Sequence, residues 1–299
     1  MLDVIIIGAG TAGLTAAIYV QRAGKKALVL DAKSWGGQIL NTADIENYPG
    51  IKHISGFEFA SILYKQATDL GTEVMQAEVI ALEDKITHKL VRTSERDYET
   101  KTVIIATGMK HRELGIAKEQ EFVGKGVSYC ATCDGAFFRG KEVVVNGGGN
   151  VAVEDAEFLS RFCRKVTIVH RRDQFRADET AVAKIRNKDN ISLCLNSRIN
   201  RLLGEKKLEA VEVIDNEGQI TTLPTEGLFI AIGQIPMNQI FSDLIALDEG
   251  GFIIAKEDTL TNCPGIFAAG DCRSKEVRQL VTAAADGAVA ALAACRFAD

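Results

Sequence analysis

Val4-Ile5-Ile6-Ile7 is an unbroken β-branched run, the pattern of a strand buried on both faces of a parallel sheet. It leads into Gly8-Ala9-Gly10-Thr11-Ala12-Gly13, after which apolar positions recur at helical spacing from about Leu14 to Ala23. Ala27 to Leu30 predicts a second strand, closed by Asp31. The same succession returns later in the chain. Glu142 to Val145 predicts a strand and Gly147-Gly148-Gly149-Asn150-Val151-Ala152 a turn, with a helix following to about Phe162. Lys165 to Val169 predicts the next strand, closed by His170-Arg171-Arg172.

Strand, glycine turn, helix, strand is the βαβ dinucleotide unit, and right-handed crossover puts both strands of each copy in one parallel sheet. Each copy has a later closing strand that ends in small residues: Thr102 to Ile105 before Ala106-Thr107-Gly108, and Gly227 to Ile230 before Ala231-Ile232-Gly233. A third such ending, Gly265-Ile266-Phe267-Ala268-Ala269-Gly270-Asp271, lies beyond both copies. The simplest arrangement inserts the second domain into the first. The expected fold class is therefore α/β, with two Rossmann-like dinucleotide-binding domains. The first covers residues 1–111 and 241–299, and the second covers 112–240. Short strands and turns over residues 71–98, beginning with Glu73 to Val79, predict an added antiparallel β-layer. Val281 to Ala294 is the longest apolar tract; Asp286 interrupts it, so it predicts a packed helix.

The glycine turns imply nucleotide sites. Glycines permit a tight turn and the close approach of a pyrophosphate, and the helix N-terminus behind them offers N–H groups and partial positive charge. The residue ending the next strand separates the two ligands. Asp31 suits ribose hydroxyls and repels a 2′-phosphate, so the first site takes FAD or NAD and not NADP. In the second copy that place holds Arg171 and Arg172, with Arg176 close behind. Three planar guanidinium forks match a phosphate dianion, so the second site prefers NADPH to NADH.

Composition narrows the classes. Hydrophobic residues make up 46% and charged residues 25% of the chain, which is the balance of a globular protein and not of a disordered one. The net charge of −5 and the lack of a basic patch argue against nucleic acid as a partner. Met1-Leu2-Asp3-Val4 carries no basic leader before the first strand, so the expected location is cytoplasmic, with no membrane partner. Seven cysteines, an odd number, do not suggest a structural disulfide framework. Cys163, Cys194, Cys263, Cys272 and Cys295 are scattered and read as small buried hydrophobes.

Cys130-Ala131-Thr132-Cys133-Asp134 differs from these. A C-x-x-C at a helix start lowers thiol pKa values, and the thiolate is the reactive species. Asp134 is placed to serve as general acid and base for the leaving thiolate. A zinc site would need a second ligand pair. His53, His88, His111 and His170 are isolated from one another, and no metal is expected. Redox use is the reading that remains.

Taken together, the motifs resemble the low-molecular-weight, bacterial-type thioredoxin reductases. The resemblance runs from end to end. It is carried by Gly8-x-Gly10-x-x-Gly13, Gly36-Gly37-Gln38, Glu46-Asn47-Tyr48-Pro49-Gly50, Ala106-Thr107-Gly108, Cys130-Ala-Thr-Cys133-Asp134, Gly147-x-Gly149-x-x-Ala152, His170-Arg-Arg-Asp-Gln-Phe-Arg176, Gly270-Asp271-Cys272 and Arg278-Gln279-Leu280-Val281-Thr282-Ala283-Ala284. It implies a homodimer that transfers electrons from NADPH through FAD and the Cys130/Cys133 disulfide to thioredoxin. A related reductase using ferredoxin or NADH, or another protein disulfide, is the alternative. The resemblance places FAD in the discontinuous domain, against Gly8, Gly10, Thr11, Ala12, Asp31, Ala32, Gly36, Gly37, Gln38, Asn47, Val79, Ala106, Thr107, Gly108, Gly270, Asp271, Arg278, Gln279 and Leu280. It places NADPH against Gly147, Gly149, Asn150, Val151, Arg171, Arg172, Arg176, Ile232 and Gly233. Cys133 would face the flavin, Cys130 would attack the protein substrate, and Asp134 would supply the proton. Val151 and Asn146 depart from the family pattern: Val151 stands where relatives carry Ser or Thr, and Asn146 replaces a small or aliphatic residue.

Overall fold

The computed structural model describes residues 1–42 and 45–299. The chain divides into two units, one formed by Met1–Lys110 and Ile235–Asp299 and the other by His111–Gln234. Residues 235–240, which the sequence pattern grouped with the inserted unit, belong to the first. Asn238 shows why. Its fully buried amide donates to the carbonyls of Cys272 (2.7 Å) and Gly251 (3.0 Å) and accepts from the Thr107 hydroxyl (3.0 Å), all within that unit.

The first unit opens with β1 (Leu2–Ile7), α1 (Thr11–Arg22) and β2 (Ala27–Asp31). The helix begins three residues before the apolar spacing suggested, directly behind the glycine turn. Then come α2 (Gly56–Asp69), β3 (Glu73–Gln76), β4 (Val79–Asp84), β5 (Lys89–Thr93) and β6 (Asp97–Ile105). The strand order is β3-β2-β1-β6-β5-β4. Glu73–Gln76 is not part of the antiparallel layer expected there. It pairs in parallel with β2, as Leu28↔Glu73 to Asp31↔Gln76, and forms the edge of the main sheet. Its two middle residues are half-buried and its two ends exposed, as at a sheet edge, and so short a pattern did not distinguish parallel from antiparallel. The antiparallel layer is β4-β5-β6. Strand β6 serves both layers: Asp97–Thr100 pairs with β5, and Thr100–Ile105 runs parallel to β1.

Short β7 (Met109–His111) leads out of this unit. The second unit contains α3 (Glu119–Phe122), β8 (Val127–Ser128), α4 (Ala131–Asp134), β9 (Glu142–Asn146), α5 (Asn150–Ser160) and β10 (Lys165–Val169). After these come α6 (Glu179–Arg186), β11 (Ile191–Cys194), β12 (Ser197–Leu203), β13 (Ala210–Asp215), β14 (Ile220–Pro224) and β15 (Gly227–Ile230). The parallel order is β11-β10-β9-β15-β8, and β12-β13-β14 forms a separate antiparallel sheet that the sequence pattern did not predict. Two clusters fill the unit. Phe138, Val145, Leu159 and Phe229 lie in one, and Val144, Val169, Leu202 and Leu228 in the other.

The chain returns through β16 (Gln234–Pro236), which pairs with β7, and reaches β17 (Ile266–Ala268) and α7 (Leu280–Ala298). Strand β17 pairs in parallel with β6, as Ile266↔Val103 to Ala268↔Ile105. Helix α7 is long and apolar enough to cross a membrane by composition alone. Its buried face, however, with Ala290, Ala291 and Ala294, packs into the same cluster as Leu14 and Ala17 of α1. Asp286 on that face is 5% exposed and accepts from the Arg273 guanidinium (2.8 Å), the Lys275 ammonium (2.9 Å) and the Gly270 N–H (2.9 Å).

Candidate functional site

In the first unit the turn after β1 is built by backbone. Gly8 has φ 111°, and a Cβ there would overlap the Ala106 carbonyl, so only glycine allows the ends of β1 and β6 to meet this closely. Helix α1 starts at Thr11 with Gly10 as N-cap and no side-chain cap, which leaves first-turn N–H groups pointing outward. The sequence assigned Asp31 to ribose hydroxyls. The structure adds a second duty. Asp31 Oδ2 accepts from Ala9 N–H (2.7 Å) and Oδ1 from Lys33 N–H (2.8 Å), so its carboxylate braces the glycine turn.

The remaining residues of this set converge from several segments. Gly36 N–H donates to Ala9 O (2.8 Å), and a Cβ on Gly10 would meet Gly37 at 3.9 Å, so residues 36–38 fold back over the turn. Ala12 packs directly under Gly270. Asn47 donates to Gln279 Oε1 (3.3 Å) at the start of α7, and Leu280 packs with Ile45, Ile54 and Phe59. Arg278 lies over the Phe252 ring (4.2 Å) and donates to Asp271 O (3.5 Å). Ala32 and Gln38 are exposed beside this group, and Gly108 follows Thr107 out of β6. Val79 is different. Its side chain is buried in the cluster with Leu30 and Ala77, leaving only its backbone to face a ligand.

Three buried side-chain oxygens among the described residues lack a partner, those of Thr15, Thr72 and Asp271, and the last is a carboxyl oxygen in this group. Asp271 Oδ1 is buried with no hydrogen bond, and burial pushes the carboxyl above its usual range despite Lys275 and Arg278 nearby. A buried polar oxygen without a donor is costly, and hydroxyls of a polyol chain would satisfy it. The residues fit a flavin dinucleotide.

The second unit repeats the device with a different charge. A Cβ on Gly147 would overlap the Ala231 carbonyl, while Gly149, the N-cap of α5, faces open space. Val151 is 59% exposed in the first turn of that helix. Asn150 has partners of its own at the start of α5. Its amide exchanges bonds with Asp178, donating to Oδ2 (3.2 Å) and accepting from the backbone N–H (2.9 Å), and so clamps the start of α6. Ile232 packs beneath the sheet and Gly233 O accepts from Arg112 N–H (3.0 Å). Arg171, Arg172 and Arg176 are all exposed. Among the described residues none of the three guanidiniums makes an ion pair, although the Arg176 N–H is anchored to Gly148 O (2.7 Å). Three unneutralised cations beside a helix N-terminus fit an additional phosphate.

His170, read from sequence as an isolated histidine, shapes this loop. Its ring stacks on Phe175 (centroids 5.5 Å apart, 11° between planes), and its Nε2 reaches Gln174 O at 3.1 Å. No spacing rule marks such a residue, because its partners are a backbone carbonyl and a glycine's empty side.

The cysteine pair lies on α4. Cys130 and Cys133 are joined as a disulfide, with Cα atoms 5.3 Å apart, and both are half-buried. Cys130 is the N-cap and Asp134 ends the single turn, with Asp134 N–H donating to Cys130 O (3.1 Å). The Thr132 hydroxyl is 3.4 Å from Cys130 Sγ. Ser128, at the end of β8, was not singled out in the sequence. It donates to Asp134 Oδ2 (2.6 Å) and accepts from Cys130 N–H (3.1 Å).

The profile of the pyridine nucleotide-disulphide oxidoreductases matches residues 2–287. This chain belongs to that family. It is 42% identical to the thioredoxin reductase of Listeria innocua over 299 residues, covering 99% of this chain and 94% of the relative. It is 42% identical to the Bacillus subtilis thioredoxin reductase over 291 residues, covering 97% and 92%. The crystal structure of the Streptococcus pyogenes thioredoxin reductase superposes with a TM-score of 0.96 at 41% identity, covering 99% of this chain and 98% of that one. The motif resemblance therefore holds along the whole chain, and the protein is an oxidoreductase of the type the family describes. The family implies a flavin and a nicotinamide nucleotide.

Proposed function

We propose that this protein is an NADPH-dependent, FAD-containing thioredoxin-disulfide reductase, working as a cytoplasmic homodimer. The observation that carries the reading is the Cys130–Cys133 disulfide, half-buried on a one-turn helix, with Asp134 at its end. A disulfide reachable from outside and adjacent to a carboxyl group is suited to exchange with another protein's disulfide. The unpaired Arg171, Arg172 and Arg176 support NADPH over NADH as donor, and the orphaned Asp271 oxygen supports FAD in the first unit.

Bound FAD would supply the means to turn a two-electron hydride donor into a reductant of the Cys130–Cys133 bond. The chain's own residues do the rest. The Gly8 and Gly147 turns bring backbone N–H groups to the two pyrophosphates. Once reduced, Cys130 attacks one sulfur of the thioredoxin disulfide, and the expelled thiolate takes a proton from the Asp134 carboxyl. Cys133 then attacks Cys130 Sγ, releases the second thioredoxin sulfur and closes the pair again. A thioredoxin disulfide sits near about −270 mV, which calls for a strong two-electron donor.

The test is spectroscopic. The purified chain should be yellow, and NADPH should bleach the flavin band much faster than NADH or reduced ferredoxin. Added oxidised thioredoxin should restore the band. A colourless protein, or a flavin that thioredoxin cannot reoxidise, would refute the assignment. Faster bleaching by NADH or ferredoxin would reassign the donor.

A further inference from the structure

We propose that Ser128 is the positioning residue for proton transfer at the Cys130/Cys133 pair. Its hydroxyl holds Asp134 Oδ2 with one hand and the Cys130 backbone N–H with the other. This rests on the thioredoxin-disulfide reductase reading and adds a role to it.

The argument begins with rigidity. Helix α4 spans only four residues, and one turn of helix costs more to nucleate than its hydrogen bonds return. Cys130 and Asp134 sit at its two ends and are only half-buried. Ser128 differs in kind. It belongs to β8, paired with β15 as Val127↔Leu228 and Ser128↔Phe229, and β15 pairs in turn with β9. Ser128 is 4% exposed. The anchor therefore comes from the sheet, and the groups it anchors are on a helix that cannot fix its own geometry.

Hydroxyl chemistry explains why the anchor is a serine. In the disulfide exchange, Cys130 Sγ forms a bond to a thioredoxin sulfur and the thioredoxin S–S bond breaks. The leaving thiolate takes a proton from Asp134, which becomes a carboxylate. Asp134 takes up the Cys133 thiol proton, as it earlier took that of Cys130, and passes it to the second thioredoxin sulfur as Cys133 displaces it. Two electrons and two protons thus pass from the dithiol to the substrate. Asp134 must exist both with and without its proton. A carboxylate requires a donor, and a hydroxyl supplies one while still accepting from Cys130 N–H. The 2.6 Å separation is that of a charge-assisted O–H···O bond. When Asp134 carries the proton, the Ser128 hydrogen has a second acceptor, Cys130 O at 3.3 Å. Both protonation states thus leave the buried hydroxyl satisfied. An apolar side chain at 128 would serve neither state.

The experiment uses the flavin-loaded enzyme and three substitutions: Ser128→Ala, Ser128→Thr and Ser128→Val. Threonine and valine have the same shape, so their difference isolates the hydroxyl from packing. Bleaching of the flavin by NADPH, with no disulfide substrate added, reports the step that does not need Asp134. Steady-state kcat and KM with oxidised thioredoxin report the step that does. For Ala and Val the expected result is a kcat lower by about ten-fold or more with KM unchanged, while Thr restores most of the rate. In an Asp134→Asn background, Ser128→Ala should add less than about a two-fold further loss, since the two residues act as one unit. Equal losses in Thr and Val, a smaller fall in the alanine enzyme, or losses that multiply in the double variant would overturn the role of Ser128 alone. A parent enzyme that reduces no thioredoxin would remove the functional reading, and this proposal with it.

Discussion

The His170 imidazole fills the space where a side chain on Gly148 would stand. Gly148 O in turn accepts from Arg176 N–H (2.7 Å), so one glycine fixes both ends of the loop that carries Arg171, Arg172 and Arg176. Gly148→Ala should displace the ring and the loop, costing about 1–3 kcal/mol of NADPH affinity. Adding His170→Ala should recover part of that loss by emptying the space. Titration of NADPH by fluorescence checks both, and a double variant no better than Gly148→Ala would count against the packing explanation.

The guanidiniums themselves give a sharper expectation. Charge-assisted bonds to a phosphate are worth about 1.5–3 kcal/mol each. Arg171→Ala with Arg172→Ala should therefore weaken NADPH by about a hundred-fold or more while changing NADH little. Equal losses for the two nucleotides would refute the 2′-phosphate assignment.

Cys133→Ser should leave a yellow protein whose flavin NADPH still bleaches, but which no longer reduces thioredoxin. Absorbance of the flavin band and thioredoxin thiol production, measured on one sample, separate the two halves of the reaction. Continued thioredoxin reduction would remove Cys133 from the path.

Asp286 holds Arg273 and Lys275 inside the first unit, where their side chains are 1% and 5% exposed. Burial alone would raise its carboxyl, but hydrogen bonds from Arg273 and Lys275 hold it below the ordinary value of 3.8. A depressed carboxylate stabilises the fold above its unfolded pKa and loses that contribution as pH falls through the folded value. Stability should thus decline in acid below about pH 4, following that linkage. Asp286→Ala leaves buried Lys275 without its carboxylate and Arg273 with only Glu257 (3.2 Å), and should cost about 3–5 kcal/mol in denaturant titration at neutral pH.

Asp155 on α5 behaves in the opposite sense. Burial, helped by the charge of Glu154, raises its carboxyl to about 7. The folded state keeps this proton after the unfolded chain has lost it, so the group costs increasing stability as pH climbs from about 4 to 7. Asp155→Asn should raise the melting temperature at pH 8, by an amount worth on the order of 2 kcal/mol, and change it little at pH 4. A constant gain across this range would show that the titration is not the cause.

Parts of this molecule were legible in the chain and parts were not. Val4 to Ile7 and Val143 to Val145 were recognisable because strands buried on both faces must be apolar throughout. The glycine turns showed themselves because Gly8 and Gly147 abut the carbonyls of Ala106 and Ala231, where no side chain fits. Pairing direction was not legible at Glu73–Gln76, since four half-exposed residues read the same in either pairing. The β12-β13-β14 sheet escaped notice because a register shift between Ile199 and Arg201 breaks the alternation of β12 and the last strand is largely exposed. Asp31 was found by position, but its grip on Ala9 N–H was not, since that bond depends on how residues 8–10 turn. Ser128 and Asn238 carried no signal at all. Each acts on groups that only the folded chain brings near, and neither residue type is rare enough to draw attention.

Strand β17 and helix α7 lie in a stretch that a ribosome makes only after the whole inserted unit. Until Ile266–Ala268 arrives, the side of β6 away from β1 is unpaired over Val103 to Ile105. Until Ala290, Ala291 and Ala294 arrive, the matching face of α1 is open to water. The unit begun first is therefore the unit completed last during synthesis, and residues 1–110 released alone would expose both an unpaired edge and an apolar surface.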